Sequence, residues 1–241
     1  MYTQSHDTTP SNEASLSSVG HGYFAGGRPK KQQRGGLSMS IFRKPYIYLK
    51  RRIEYIQYIN RIKFWVDSGL KLGNNVTIMP TAYIDSEYGY LIEIGDNCSL
   101  GHNVRIFGHD ASTFKFIDQH TILLKTVIHD NVFIGENSII LPGCTVGPNV
   151  LIASGSIINK DIPPNSCVAG VPARRYQAFD AFLAKHKEKV ATGNVVEYEE
   201  LHNAEYQKTR RRVLKMIEED GFAYVHGFVD NEFTVNGDDF K

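Results

Sequence analysis

Residues 128–160 read IHDNVFIGENSIILPGCTVGPNVLIASGSIINK, and every sixth residue of the stretch is a branched aliphatic: Ile128, Ile134, Ile140, Val146, Ile152 and Ile158. The same spacing continues upstream in two shorter blocks, Leu72, Ile78 and Ile84, then Ile94, Leu100 and Ile106. Gly follows the aliphatic residue five times (73, 95, 101, 135, 147) and Ala153 does so once. The fifth place is usually small or β-branched: Val76, Ala82, Cys98, Val104, Val132, Ser138, Cys144, Val150, Ser156 and Ile162, with Tyr88 and Asp110 as exceptions. A self-similar period of this kind identifies a repeat architecture and takes precedence over local readings.

Six residues are too few for an αβ unit, but three sixes make one turn of a triangular prism. The first aliphatic of each hexad then fills the axis. The fifth residue points inward near a corner, and Gly or Asn accepts the corner's backbone angles. Stacked coils satisfy one another's backbone groups, so the core runs as one column. The expectation is an all-β solenoid, a parallel β-helix. Two breaks interrupt the period. Ile84 to Ile94 is a six plus four, and Ile106 to Ile128 is an eighteen plus four. A solenoid tolerates insertions at its corners, where loops often build the binding face.

Around the prism the chain divides into a disordered basic arm (1–40), a basic amphipathic helix (41–68), the β-helix (69–175, with a loop insertion at 107–127) and a C-terminal helical extension (176–241). The arm is rich in Ser, Thr, Gly, Asn and Gln. In the helix, Tyr46, Leu49, Ile53 and Ile56 fall at helical spacing, and Ile59, Ile62 and Val66 extend a neighbouring stripe. Eleven Lys or Arg lie between positions 28 and 63 against Glu54 alone. Such a helix can lie on an anionic membrane through 41–66, or pack its apolar face on the domain that follows. Residues 176–190 and 197–219 read as helices that cap the open end of the prism, where unpaired strand edges would otherwise be exposed.

Composition narrows the class. The 241 residues are 41% hydrophobic and 22% charged, ordinary for a soluble globular chain. A net charge of +1 gives no ground for a nucleic-acid partner. The three cysteines, Cys98, Cys144 and Cys167, are too few for a disulfide framework and lack zinc spacing, which suits a reducing compartment. Residues 1–10 show no secretory pattern, and no stretch reaches 18 apolar residues, so a cytoplasmic place is expected.

Two stretches resemble the hexapeptide-repeat acyltransferases, in particular the sugar and polysaccharide O-acetyltransferase branch that includes the maltose and galactoside enzymes. VIHDNVFIGENSIILPGCTVGPNVLIASGSIINKDIPPNSCVAGVPARRY (127–176) resembles the family's acyl-CoA-binding signature, and LIEIGDNCSLGHNVRIFGHDAST (91–113) resembles the segment carrying its catalytic histidine. The resemblance implies a left-handed prism, acetyl-CoA as co-substrate without a metal, and a homotrimer with active sites between subunits. It also implies direct transfer to a sugar hydroxyl.

His109, the fourth residue of the hexad opened by Ile106, stands at a corner just before the long insertion. An imidazole with a reference pKa of ~6.5 is a competent base near neutral pH. Asp110 either orients His109 or accepts a substrate hydroxyl, unless it caps its own turn. Asp85 precedes the first insertion on a nearby coil, and family members hold sugar there with acidic or amide side chains. Ser154 and Gly155 match the turn that meets the pantetheine arm, and Asn159 and Lys160 match a Thr-Lys pair. Lys160, Arg174 and Arg175 bring positive charge for the phosphates of CoA. Phe133, Glu136 and Gln177 depart from the family pattern, which leaves acyl-chain length open.

His102 and His129 read as exposed corners. His120, in the inserted loop, closes over the acceptor or is simply solvated. Their spacing does not match the γ-class carbonic anhydrases, whose paired histidines are five residues apart; His102 and His109 are seven apart. The alternatives that remain are N-acetylation of an amino sugar and a non-catalytic β-helix scaffold.

Overall fold

The structure, a computed structural model, describes residues 40–227 and 233–240, with side chains from residue 49 onward. The expected arm over 1–40 therefore falls outside the described residues, apart from Ser40. The chain divides into a first unit, Met1–Lys44, and a second, Pro45–Lys241. Helix α1 (Ser40–Asp67) opens the described part, and the second unit carries the left-handed parallel β-helix.

The prism has three faces. The first stacks β1 (Lys71–Leu72), β4 (Ile92–Ile94), β9 (Thr126–Ile128) and β12 (Thr145–Val146). On the second lie β2 (Val76–Ile78), β5 (Ser99–Leu100), β10 (Val132–Ile134), β13 (Val150–Ile152) and β15 (Ser166–Ala169). The third holds β3 (Tyr83–Ile84), β6 (Arg105–Ile106), β11 (Ile139–Ile140) and β14 (Ile157–Ile158). All these neighbours pair in parallel.

The register turns the period of six into three columns. Leu72, Ile94, Ile128 and Val146 stack on the first face. Ile78, Leu100, Ile134 and Ile152 stack on the second, and Ile84, Ile106, Ile140 and Ile158 on the third. All but Leu72 are buried, as are the ten small or branched fifth-place residues. Fourth places form the corners. Asn75, Asn97, Asn103, Asn131, Asn137 and Asn149 all adopt φ between 54° and 59°, a left-handed conformation that Asn tolerates better than branched residues. Several of these side-chain amides bond from coil to coil, as in Asn75 to Asn97 (2.8 Å) and Asn149 to Asn165 (3.0 Å). Second-place glycines answer a different need, close approach. A Cβ on Gly135 would stand 2.5 Å from the backbone nitrogen of Ser154 on the next coil.

The insertion is shorter and more ordered than a 107–127 loop. Phe107 still donates its N–H to Ile140 (3.1 Å), and β9 has already begun at Thr126. Between them, β7 (His109–Asp110) and β8 (Ile122–Leu123) pair as an antiparallel hairpin.

The ends of the prism also differ from expectation. Helices do not close the last coil by themselves. β16 (Arg174–Ala178) folds back antiparallel on β15 and satisfies its free edge, and α2 (Phe179–Ala191) follows it. The helix expected over 197–219 begins only at Tyr206. Ahead of α3 (Tyr206–Asp220), β17 (Val195–Glu197) pairs with β18 (Tyr224–His226). At the opposite end, β19 (Thr234–Val235) lies antiparallel on β2. There Tyr58, Ile62 and Trp65 of α1 join the buried core, and the Tyr58 hydroxyl donates to the carbonyl of Phe233 (2.9 Å).

All three cysteines are free and buried. Burial pushes the Cys98 and Cys144 thiols up to about 11 and raises that of Cys167 as well. For the two thiols at about 11, the reactive thiolate is a fraction on the order of 10⁻³ at pH 8. In the native chain, iodoacetamide at that pH is expected to leave all three unmodified by intact-mass spectrometry, and to label them once denaturant is added. Rapid labelling of any of them without denaturant would contradict the packing described.

Candidate active site

The hexad opened by Ile84 carries Asp85 at its second place, where five other hexads have Gly. A side chain there meets the neighbouring coil, and Asp85 uses that direction. Its carboxylate is 1% exposed. Oδ2 accepts the N–H of Gly108 (3.1 Å) and lies in short hydrogen-bond contact with Nδ1 of His109. Oδ1 is buried with no partner among the described residues.

Three contacts fix the backbone beneath the histidine. Phe107 is bonded to the next coil through its N–H, and its carbonyl accepts the Thr126 hydroxyl (2.7 Å). The carbonyl of Gly108 accepts the N–H of Leu124 (3.0 Å) across the hairpin. His109 is thus held at the root of the hairpin with its ring partly open to solvent (24% exposed). With Nδ1 engaged by Asp85, Nε2 is the ring nitrogen without a hydrogen-bond partner among the described residues. A carboxylate on Nδ1 selects the tautomer with the proton there, which leaves Nε2 as an acceptor.

Of the two acids expected near His109, it is Asp85 that touches the ring. Asp110 turns away into its own turn. Its Oδ1 accepts the N–H of Ser112 (2.8 Å), and the hydrogen bonds from Ser112 hold its carboxyl below the usual range. Tyr88, which stands out in the sequence only as a bulky exception at a fifth place, packs its ring on His109 with centroids 4.9 Å apart and planes at 52°. Two signals in the sequence point to it: a large ring at a place that is otherwise small or β-branched, and the four extra residues between Ile84 and Ile94.

A groove runs beside this corner on the outer side of β3, β6 and β11. It measures ≈ 680 Å³ and is lined by Thr81, Tyr83, Asn103, Arg105, Phe107, Asn137 and Ile139. The rings of Tyr83 and Phe107 stand 5.8 Å apart within it. His120 is engaged in its own loop, Nδ1 against the carbonyl of Ile117 (2.7 Å), and His102 binds the Thr81 hydroxyl (2.9 Å).

The residues matched to the CoA signature lie farther along the prism. Asn159 and Lys160 leave β14, which is two coils from β6, so Asn159 stands about 10 Å along the axis from Phe107. Ser154, Asn159, Lys160, Arg174 and Arg175 are all exposed, and the three cations carry no ion pair among the described residues. Gly155 adopts φ +72° with nothing within 4 Å of where a Cβ would point. Exposed backbone at Ser154 and Gly155, with cations farther along that carry no ion pair among the described residues, suits a long thioester carrier ending in phosphates.

Fold and site together define a hexapeptide β-helix protein with a carboxylate-held histidine at one corner. Residues 125–160 match the family described as bacterial transferase hexapeptide (six repeats). Protein CapG of Staphylococcus aureus is 33% identical over 138 residues, 55% of this chain and 79% of that protein. The galactoside O-acetyltransferase of Escherichia coli K12 is 40% identical over 87 residues, 35% of this chain, and the match spans 43% of that enzyme's length. A solved structure of a hexapeptide-repeat-containing acetyltransferase from Vibrio cholerae O1 biovar eltor, complexed with acetyl coenzyme A, aligns with a TM-score of 0.43 at 28% identity over 46% of this chain and 61% of that one. The chain belongs to the hexapeptide-repeat transferase family.

Proposed function

We propose that the protein transfers an acetyl group from acetyl-CoA to a hydroxyl of a sugar or saccharide, with His109 as general base. The observation that carries this reading is the pairing of buried Asp85 with His109 Nδ1, which leaves Nε2 as the nitrogen able to accept a proton. When bound, acetyl-CoA supplies the acetyl group as a thioester. Nε2 of His109 takes the acceptor hydroxyl's proton while the new C–O bond forms, and returns it to the sulfur as the C–S bond breaks. Asp85 keeps the ring oriented and stabilises the transient imidazolium, the part a carboxylate plays behind a catalytic histidine. Ser154, Gly155 and Asn159 border the carrier's path, and Lys160, Arg174 and Arg175 face its phosphates. Asp110 would stiffen the turn that follows His109.

Family resemblance supports a homotrimer, in which the groove beside Tyr83 and Phe107 forms one wall of a site completed by a neighbouring prism. The sugar class rests on the named relatives and on the aromatic, amide-lined groove.

The test follows thiol release from acetyl-CoA with mono-, di- and polysaccharides and amino sugars as acceptors. Release driven by a hydroxyl acceptor is the expected result. Release only with amino sugars would shift the reading to N-acetylation, and failure to bind CoA at all would leave a scaffold. Asp85→Asn is expected to lower kcat by about 10²-fold while KM for acetyl-CoA stays within about twofold, because the variant loses the charge that supports the imidazolium but keeps an acceptor for Gly108. An unchanged kcat would remove Asp85 from the mechanism.

A further inference from the structure

Helix α1 has two apolar faces, and the prism uses one. At about 100° per residue, Tyr58, Ile62 and Trp65 fall on one side, where they are buried in the core. Leu49, Ile53, Ile56 and Phe64 cluster on the opposite side, each between 47% and 59% exposed. Every residue from 49 to 57 is exposed, so the first part of this stretch leaves the body of the protein altogether.

Charge frames the outward stripe. In projection Lys50 stands on one flank, and Arg52 and Lys63 on the other. From position 49 to 67 the helix carries five cations and two acids. Both acids are taken up in exposed pairs along the helix, Lys50 with Glu54 (3.7 Å) and Lys63 with Asp67 (3.1 Å), while Arg51 and Arg52 have no ion pair among the described residues. The sequence just before, 28–44, adds six cations and no acid.

We infer that this outward face of α1 docks on an anionic lipid surface, lying in the interface with Leu49, Ile53, Ile56 and Phe64 among the acyl chains and the flanking cations at the headgroups. An apolar stripe edged by Lys and Arg is the pattern for binding in the plane of a membrane. A second copy of the chain suits the face less well, because a two-fold contact would set these cations against their own equivalents. Anionic headgroups remove that repulsion. The helix rests on the surface: among the described residues no helix is long and apolar enough to cross a membrane.

The test sediments the full chain with vesicles of phosphatidylcholine, with or without roughly 30% phosphatidylglycerol. At least a tenfold excess (~10×) in the anionic pellet is expected, falling as salt screens the headgroups. Ile53→Glu/Ile56→Glu should abolish it, and Lys50→Glu/Arg52→Glu, which reverses a cation on each flank, should reduce it, with unfolding midpoints matching the parent chain as the control for folding. Equal sedimentation with neutral vesicles, or none with either, would overturn the proposal. So would a fall in native mass by light scattering in the Ile53→Glu/Ile56→Glu variant, which would show that a second copy covers the stripe. None of these readouts depends on acetyl transfer.

Discussion

His109→Ala is expected to lower the rate of acetyl transfer by about 10³-fold, with little change in CoA affinity. The magnitude follows from what the side chain supplies. A neutral alcohol is a poor nucleophile, and a positioned base contributes about 10²–10⁴-fold. His109 is positioned from both sides, by Asp85 on Nδ1 and by the Tyr88 ring on its face. Alanine removes the imidazole whose Nε2 has no hydrogen-bond partner among the described residues. On the proposed assignment the affinity is spared, because Ser154, Asn159, Lys160, Arg174 and Arg175 lie beyond the corner on later coils. Thiol release at saturating acetyl-CoA measures the first quantity and titration with CoA the second. Retained turnover in this variant would sink the assignment, and Tyr88 or a partner's side chain would then have to be sought as the base.

The second large effect is on stability. Ile134→Ala is expected to cost about 3–4 kcal/mol, and Ile134→Val about 1 kcal/mol. Ile134 is fully buried between Leu100 and Ile152 in its column. A cavity left there cannot close by collapse, because hydrogen bonds hold the coils at fixed spacing on both sides. Gly101 donates to the carbonyl of Ile134 (2.9 Å), and Gly135 donates to that of Ile152 (2.8 Å). The loss should therefore lie above the lower end of the range for such substitutions, because the cost grows with the volume left empty. Urea unfolding at one protein concentration would show the midpoint falling with the slope unchanged. A difference under about 0.5 kcal/mol between the alanine and valine variants would mean that the column repacks.

Much of this architecture is legible in the chain because one rung of the prism repeats its demands. The inward aliphatic, the small fifth residue and the Gly or Asn of the corner recur at a fixed interval. The pairing that stacks Ile78, Leu100, Ile134 and Ile152 simply reads that interval out in space. Glycines that look alike in the sequence nevertheless serve two purposes. Gly135 is small because the next backbone passes 2.5 Å from a would-be Cβ, whereas Gly155 is there for its positive φ.

The candidate site was only half legible. His109 stands out because it occupies a corner beside a break in the period. Its partner does not: the sequence points to the adjacent Asp110 to orient the ring and to Asp85 to hold a sugar, and stacking the coils gives Asp85 the place beside His109. The chain then runs from Asp85 through a whole coil and returns His109 beside it, while Asp110 is spent on Ser112. In the C-terminal segment helical spacing locates α2 and α3 but not the strands around them. Helical spacing over 176–219 says nothing about which residues leave the helix to pair with the ends of the prism, and β16 and β19 are placed by the free edges of β15 and β2.

The prism, its inward residues and the corner that carries His109 can be read from the order of residues alone, because those depend on local backbone geometry repeated every six residues. That Asp85 holds the histidine, that antiparallel strands close both ends, and that α1 keeps a second apolar face pointing outward emerge once the chain is folded. Each of these is a contact, or the lack of one, between segments distant along the chain. A period describes how neighbours in sequence must behave, and it carries no information about which distant groups will meet.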